Sequence, residues 1–264
     1  MIWKPMVLAA VAAALLVTHQ APARAEGRTG VVLMHGKAGT PDHVRGLATT
    51  LEQAGYLTAS PEMPWSQRRR YDAALEQSHQ EIDATIADLK RRGADRIVIA
   101  GHSMGGNMAI GYAATHPDLA AVVAIGPGQT VDGENFAAAT GEGVAKARSM
   151  IAADRGDEKA SFPELHLGKR STVTTSARIY ASYFDPDGYA NMPVFAKLVT
   201  QPLMWIVGTL DKPMMDRGRA YAFDRLPPDP RHAYVEVTSD HMGTPEAAKA
   251  EIAAWLLRVA PPAP

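Results

Sequence analysis

Gly101-His102-Ser103-Met104-Gly105-Gly106 is the stretch on which the reading of this chain turns. It fits the pattern G-x-S-x-G. Ahead of it, Arg96-Ile97-Val98-Ile99-Ala100 is a short apolar run rich in β-branched residues, which reads as a buried parallel strand. Behind it, Asn107 to Ala114 reads as a helix closed by His116-Pro117. A bare G-x-S-x-G also occurs as a glycine-rich turn with an idle serine. Strand, sharp turn and helix together instead describe a nucleophile elbow. The glycines leave room for strand and helix to approach, and the helix N-terminus behind Ser103 favours negative charge.

Outward from the elbow, strands and helices alternate. Gly30 to Met34 is a first strand ending at His35-Gly36. Thr40 is expected to cap a helix that starts at Pro41 and stops at Gly55. Leu57 to Ser60 is a short strand. Tyr71, Leu75, Ile82, Ile86 and Leu89 then fall on one face of a long helix that Gly93 ends. Beyond the elbow, Leu119 to Ile125 is a strand that breaks at Gly126-Pro127-Gly128. The alternation resumes with strands at 202–208 and 233–237 and a last helix from Glu246 to Val259, followed by a proline-rich tail. This order predicts an α/β fold, a mostly parallel sheet with helices on both faces. Residues 127–200 break the rhythm. They show helical patches at Val144–Ala153 and Ala177–Phe184, a turn at Asp185-Pro186-Asp187-Gly188 and no obvious strand. They are expected to form a cap-like excursion after the strand that follows the elbow helix.

A serine hydroxyl is a weak nucleophile at neutral pH and needs a base, which in turn needs an orienting carboxylate. Asp211 follows the strand ending at Val207, and His241 follows the strand ending at Val237. Both stand just past strand ends, in the chain order Ser, acid, His. Asp185, Asp187, Asp216 and Asp240 are rivals for the acid. The first two sit in a turn, Asp216 can start a helix, and Asp240 as His241's neighbour is expected to point away from it. The oxyanion donors expected of this arrangement are the backbone N–H groups of Met104 and of Lys37, in the loop His35-Gly36-Lys37-Ala38-Gly39. The Lys37 side chain reads as a solvated lysine. His35 and His102 read as structural histidines rather than the base. Trp65, on the same rim, is a candidate pocket residue, and Arg68, Arg69 and Arg70 read as a solvated run more readily than as an anion site. Tyr180, Tyr183, Phe184 and Phe195 either shape an acyl pocket or simply pack.

The first 25 residues read as a leader. Lys4 precedes an apolar run from Met6 to Val17, and Ala23-Arg24-Ala25 is a small-residue cleavage site. The run is short for a bilayer span. The expectation is a signal peptide at 1–25, export to the periplasm or medium, no stable membrane span after processing, and a single domain over 26–264. The 264 residues carry a formal charge of −1, which points to no nucleic-acid partner. The chain has no cysteine, so disulfides, thiolate catalysis, Cys-ligated metal and a lipid-modified cysteine are excluded.

Through His35-Gly36, the Gly101–Gly106 elbow, Gly208-Thr209-Leu210-Asp211 and Asp240-His241, the chain resembles the α/β-hydrolase superfamily from about Gly30 to Val259. The resemblance implies a serine hydrolase, esterase- or lipase-like, acting on a small acyl substrate with no cofactor or metal. Ser103, His241 and Asp211 would form its triad, working through an acyl-enzyme. An acyltransferase on the same triad, or a non-catalytic binding protein on this scaffold, are the alternatives. The family usually has two antiparallel strands before the one ending in His-Gly, and here Glu26 to Thr29 leaves little room for them.

Overall fold

The computed structural model describes residues 27–188 and 191–262. The leader expected at 1–25 lies outside the described residues, as does the end of the proline-rich tail. The strands are β1 (Arg28–Met34), β2 (Leu57–Ala59), β3 (Ala94–His102), β4 (Ala121–Ile125), β5 (Lys159–His166), β6 (Lys169–Ser176), β7 (Leu203–Gly208) and β8 (Ala233–Val237). The α-helices are α1 (Arg45–Gln53), α2 (Leu75–Arg91), α3 (Met104–Ala113), α4 (Glu134–Ala152), α5 (Ala177–Phe184), α6 (Met192–Phe195), α7 (Lys212–Met215), α8 (Thr244–Ala247) and α9 (Lys249–Val259).

Six strands form one sheet in the order β2-β1-β3-β4-β7-β8, and every pairing in it is parallel. Side chains alternate along each strand, so each strand feeds two cores. Val31, Leu33, Val98, Ala100, Val123, Ile125, Met204 and Ile206 face α1 and α9, meeting Leu47, Leu51, Ile252, Trp255 and Leu256. Val32, Met34, Ile97, Ile99, Val122, Ala124 and Trp205 face the other way, toward Ile82 and Leu89 of α2 and Met108 and Ile110 of α3. Strand order reverses between β1 and β3. The loops leaving their C-terminal ends part there and open a crevice.

Segment 127–200 differs from expectation in one respect. It contains strands: β5 and β6 form an antiparallel hairpin of their own, in register from Lys159↔Ser176 to His166↔Lys169. Most of these sixteen positions are exposed or half-exposed, so no apolar alternation marks them. The β-branched run Thr172-Val173-Thr174-Thr175 was the one weak signal available. Helix α4 is also longer than its Val144–Ala153 patch, starting at Glu134. Its glycines obscured it, and one of them is required: a Cβ on Gly143 would lie 2.5 Å from the Tyr180 hydroxyl. An aromatic column fastens the hairpin to α5, with Phe162 stacked on Tyr180 and Tyr180 on Phe184, both pairs at 4.4 Å between centroids.

Three helix boundaries shift as well. Pro41 starts a 3-10 turn rather than an α-helix, and the Thr40 side chain caps nothing. Tyr71 lies before α2, in a turn with φ 62°, where it reaches the core through a ring packed on Tyr183 at 4.8 Å. The C-terminal helix is broken at Ala248 into α8 and α9.

Candidate active site

Ser103 stands between β3 and α3 with φ 55° and ψ −118°. That is a strained conformation for a residue bearing a Cβ, and the surroundings hold it there. The Ser103 N–H donates to the Ile125 carbonyl of β4 at 2.8 Å, and its carbonyl accepts from the Gly106 and Asn107 N–H groups. The turn closes only because a strand residue and a helix residue have no side chains. A Cβ on Gly101 would lie 2.2 Å from the Gly105 carbonyl oxygen, and one on Gly105 would lie 2.5 Å from that of Met34.

The loops after β7 and β8 are bonded to each other. Thr209 N–H donates to Val237 O at 2.8 Å, and Leu210 N–H to Ser239 O at 3.0 Å. This brings Asp211 and His241 together across 30 residues of sequence. His241 Nδ1 lies 2.6 Å from Asp211 Oδ2, and His241 Nε2 lies 2.9 Å from Ser103 Oγ. The rival acids are occupied elsewhere or stand apart. Asp240 accepts from the Gly243 N–H, and Asp185 and Asp187 both pair with Arg148. Asp216 is the C-cap residue of α7, its N–H donating to Lys212 O.

His102 and His35 hold the frame. His102 Nε2 donates to the main-chain carbonyl of His241 at 2.8 Å, and its ring stacks on His43 at 5.0 Å. Burial first, then the nearby His241, push its pKa down to about 3, so its ring is neutral. His35 Nε2 accepts from the Met63 N–H at 3.1 Å, which puts its proton on Nδ1 toward Gly36 O. Burial lowers its pKa as well. His79 is pushed down to about 4 by burial and by His116. In an unfolded chain each would titrate near the ordinary 6.5. Below that value the unfolded state binds more protons than the folded one, so stability falls as pH drops from about 6.5 toward 4. Thermal unfolding midpoints measured across that window are expected to decline. His102→Gln, which cannot titrate, is expected to show a shallower decline, and an equal slope would remove His102 from the account.

Two positions differ from their sequence reading. Trp65 is buried at 1 % exposure, its indole N–H donates to His35 O at 2.9 Å, and it does not line the cavity at Ser103. Its large apolar ring is worth more in the core than on the rim. The Lys37 side chain is not solvated. It is 7 % exposed, with Nζ 3.5 Å from Glu164 Oε1. Among the arginines, Arg69 is held by Glu81 and Asp72, and Arg68 by Glu62.

The space at Ser103 is narrow and is lined by Gly36, Lys37, Gly39, His43, His102, Ser103, His166, His241 and Met242. His43 and His166 were not singled out from the sequence. His166 reaches the cavity from the tip of the β5–β6 hairpin, whose own strand carries no apolar alternation. Among the described residues the Lys37 and Met104 amides have no hydrogen-bond acceptor. A separate, larger cavity of about 240 Å³ lies between α4 and α5, lined by Val131, Val144, Phe184 and Pro186 among others.

A family profile described as serine aminopeptidase, S33 matches residues 25–161, which include Lys37 and Ser103 and end before Asp211. A thermostable monoacylglycerol lipase of Bacillus sp. (strain H-257) is 32% identical over 102 residues, covering 38% of this chain and 40% of that protein. A putative esterase, NocK, of Nocardia uniformis subsp. tsuyamanensis is 35% identical over 123 residues, covering 41% and 35%. The chain thus spans well under half the length of these relatives. Among solved structures, the Paleococcus ferrophilus monoacylglycerol lipase superposes with a TM-score of 0.64 at 21% identity, over 88% of this chain and 95% of that one. Est1E from Butyrivibrio proteoclasticus, with ferulic acid bound, gives 0.60 at 16% identity, over 88% and 89%. These likenesses show the shared fold.

Proposed function

The chain belongs to the serine aminopeptidase S33 family of α/β hydrolases, and from that premise we propose that it is an exported serine hydrolase of carboxylic esters. The observation that carries the reading is the continuous hydrogen-bonded line from Ser103 Oγ through the His241 ring to Asp211, starting at a serine with positive φ. Ser103 Oγ attacks the ester carbonyl carbon, and its proton passes to His241 Nε2. Asp211 holds the other ring nitrogen protonated and stabilises the imidazolium. The Lys37 and Met104 amides donate to the carbonyl oxygen as it gains charge, each worth about 10²- to 10³-fold. The C–O bond then breaks, His241 returns the proton to the departing alkoxide, and the acyl group stays on Ser103. Water, deprotonated by His241, then attacks the acyl carbon; the bond to Ser103 Oγ breaks, the acid leaves, and His241 returns the proton to Ser103 Oγ.

An ester is favoured over an N-terminal peptide by the cavity lining. A free α-amino group needs a carboxylate beside it, and no Asp or Glu is among the residues that line the space at Ser103. Export rests on the leader pattern ahead of Ala25. Among the described residues no helix is long and apolar enough to cross a membrane.

Incubation with a fluorophosphonate, followed by peptide mass spectrometry, is expected to place a single adduct on Ser103. A panel of p-nitrophenyl esters of graded chain length is expected to show turnover and define the acyl preference. No adduct and no turnover on any ester would reject the reading.

A further inference from the structure

Lys37 carries a buried charge that the reaction above does not use. A lysine in a loop, three residues past the end of β1, could keep its ammonium in water at no cost. Here the side chain is turned inward, and taking an ammonium out of water is costly unless its partners replace the solvent. The partners belong to segment 127–200. Lys37 Nζ donates to Leu165 O of β5 at 3.0 Å, lies 3.5 Å from Glu164 Oε1, and stands 5.1 Å above the Phe184 ring of α5. An ammonium has three donors and no acceptor. A carbonyl that accepts its hydrogen bond, a carboxylate at ion-pair distance and a ring face surround it, so its partners here come from the hairpin and α5.

Glu164 is held in turn. Its Oε1 accepts from the Tyr71 hydroxyl at 2.7 Å and its Oε2 from Ser171 Oγ of β6 at 3.4 Å. Tyr71 is anchored by its own N–H to Pro64 O at 2.7 Å, and its carbonyl accepts from Thr175 Oγ1 at 2.8 Å. On the other side of Lys37, the Ala38 N–H donates to Trp65 O at 2.8 Å, with Ala38 in a left-handed conformation at φ 52°. The backbone around the Lys37 amide is therefore clamped twice, once through Ala38 to the body and once through Nζ to the β5–β6 hairpin.

We propose that the buried Lys37–Glu164 pair is a positioning device that ties the loop bearing one oxyanion donor to the β5–β6 hairpin, so that the seating of the hairpin sets where that donor points. The proposal rests on the ester-hydrolase reading. Its consequence is a kcat effect: the donor acts on charge that appears only in the transition state, so displacing it leaves substrate binding largely intact. A shift of about 1 Å in such a group costs up to about 10²-fold.

The test is Lys37→Met, Glu164→Gln and the double variant, assayed on a neutral p-nitrophenyl ester and on one bearing a carboxylate. Lys37→Met is expected to lower kcat by about 10- to 100-fold with KM within about threefold on both esters. Glu164→Gln, which is isosteric, is expected to lose kcat in the same direction without a change of fold. The double variant is expected to lose no more than Lys37→Met alone, because both act through one contact. Unchanged kcat in folded Glu164→Gln, losses that multiply, or a KM rise confined to the anionic ester would each overturn the proposal. If Lys37→Met does not fold, Glu164→Gln decides alone. Wild-type protein that forms no fluorophosphonate adduct at Ser103 rejects the ester-hydrolase reading. An adduct on wild type with undiminished kcat in the variants rejects only the role of the pair.

Discussion

Ser103→Ala is expected to lower kcat for ester hydrolysis by on the order of 10⁶-fold, the scale seen when a triad nucleophile is removed. The fold should survive. The strain at φ 55° is shared by any residue with a Cβ, so alanine inherits the same backbone cost. Among the described residues the Ser103 side chain makes one hydrogen bond, to His241, and the backbone bonds to Ile125, Gly106 and Asn107 do not depend on the hydroxyl. The thermal midpoint is therefore expected to move by no more than about a few degrees. Residual turnover should exceed the uncatalysed rate, because the oxyanion donors and the cavity remain. Steady-state assay of purified variant and wild type on one ester, with unfolding curves for both, checks the result. Comparable turnover would end the serine mechanism while leaving the family assignment untouched.

Asp211→Asn is expected to lower kcat by about 10³- to 10⁴-fold. The carboxylate is a pure acceptor, 8 % exposed, and meets His241 Nδ1 at 2.6 Å. It obliges that nitrogen to carry the proton and leaves Nε2 with a lone pair for the Ser103 hydroxyl. An amide turned to offer its NH₂ reverses the pattern: Nδ1 accepts, Nε2 takes the proton, and the ring can no longer act as a base. Asp240→Asn and Asp216→Asn serve as controls and are expected to keep kcat within a few-fold. Asp240 uses its carboxylate to cap the Gly243 N–H. Should Asp211→Asn retain near-normal kcat while a control loses it, the acid has been misassigned, and Ser103 and His241 would still stand.

Much of this site is legible in the sequence. Ser103, Asp211 and His241 each follow a short apolar strand, and the strands announce themselves through β-branched runs that end in glycine or turn residues. Alternating strands and helices leave the parallel sheet as the economical arrangement, and a parallel sheet collects the loops after its strands on one rim. Local signals of this kind are strong because they need no partner from elsewhere in the chain.

The hairpin at 159–176, the inward turn of Lys37 and the burial of Trp65 had no such signal. The hairpin is largely polar and pairs with itself, so the alternation that marks a half-buried strand is missing. Whether a lysine is solvated or buried depends on what faces it, and Glu164 and Leu165 are more than 120 residues away in sequence. The same holds for His166, carried to the cavity by its hairpin, and for His43, which meets His102 across 59 positions. Sequence alone determined which residues end strands and so which chemistry shares a rim, because backbone periodicity and turn preference act over a few residues. Only the tertiary structure decided which side chains leave water and which loops lock together, because burial and charge pairing are settled by neighbours the chain supplies from a distance.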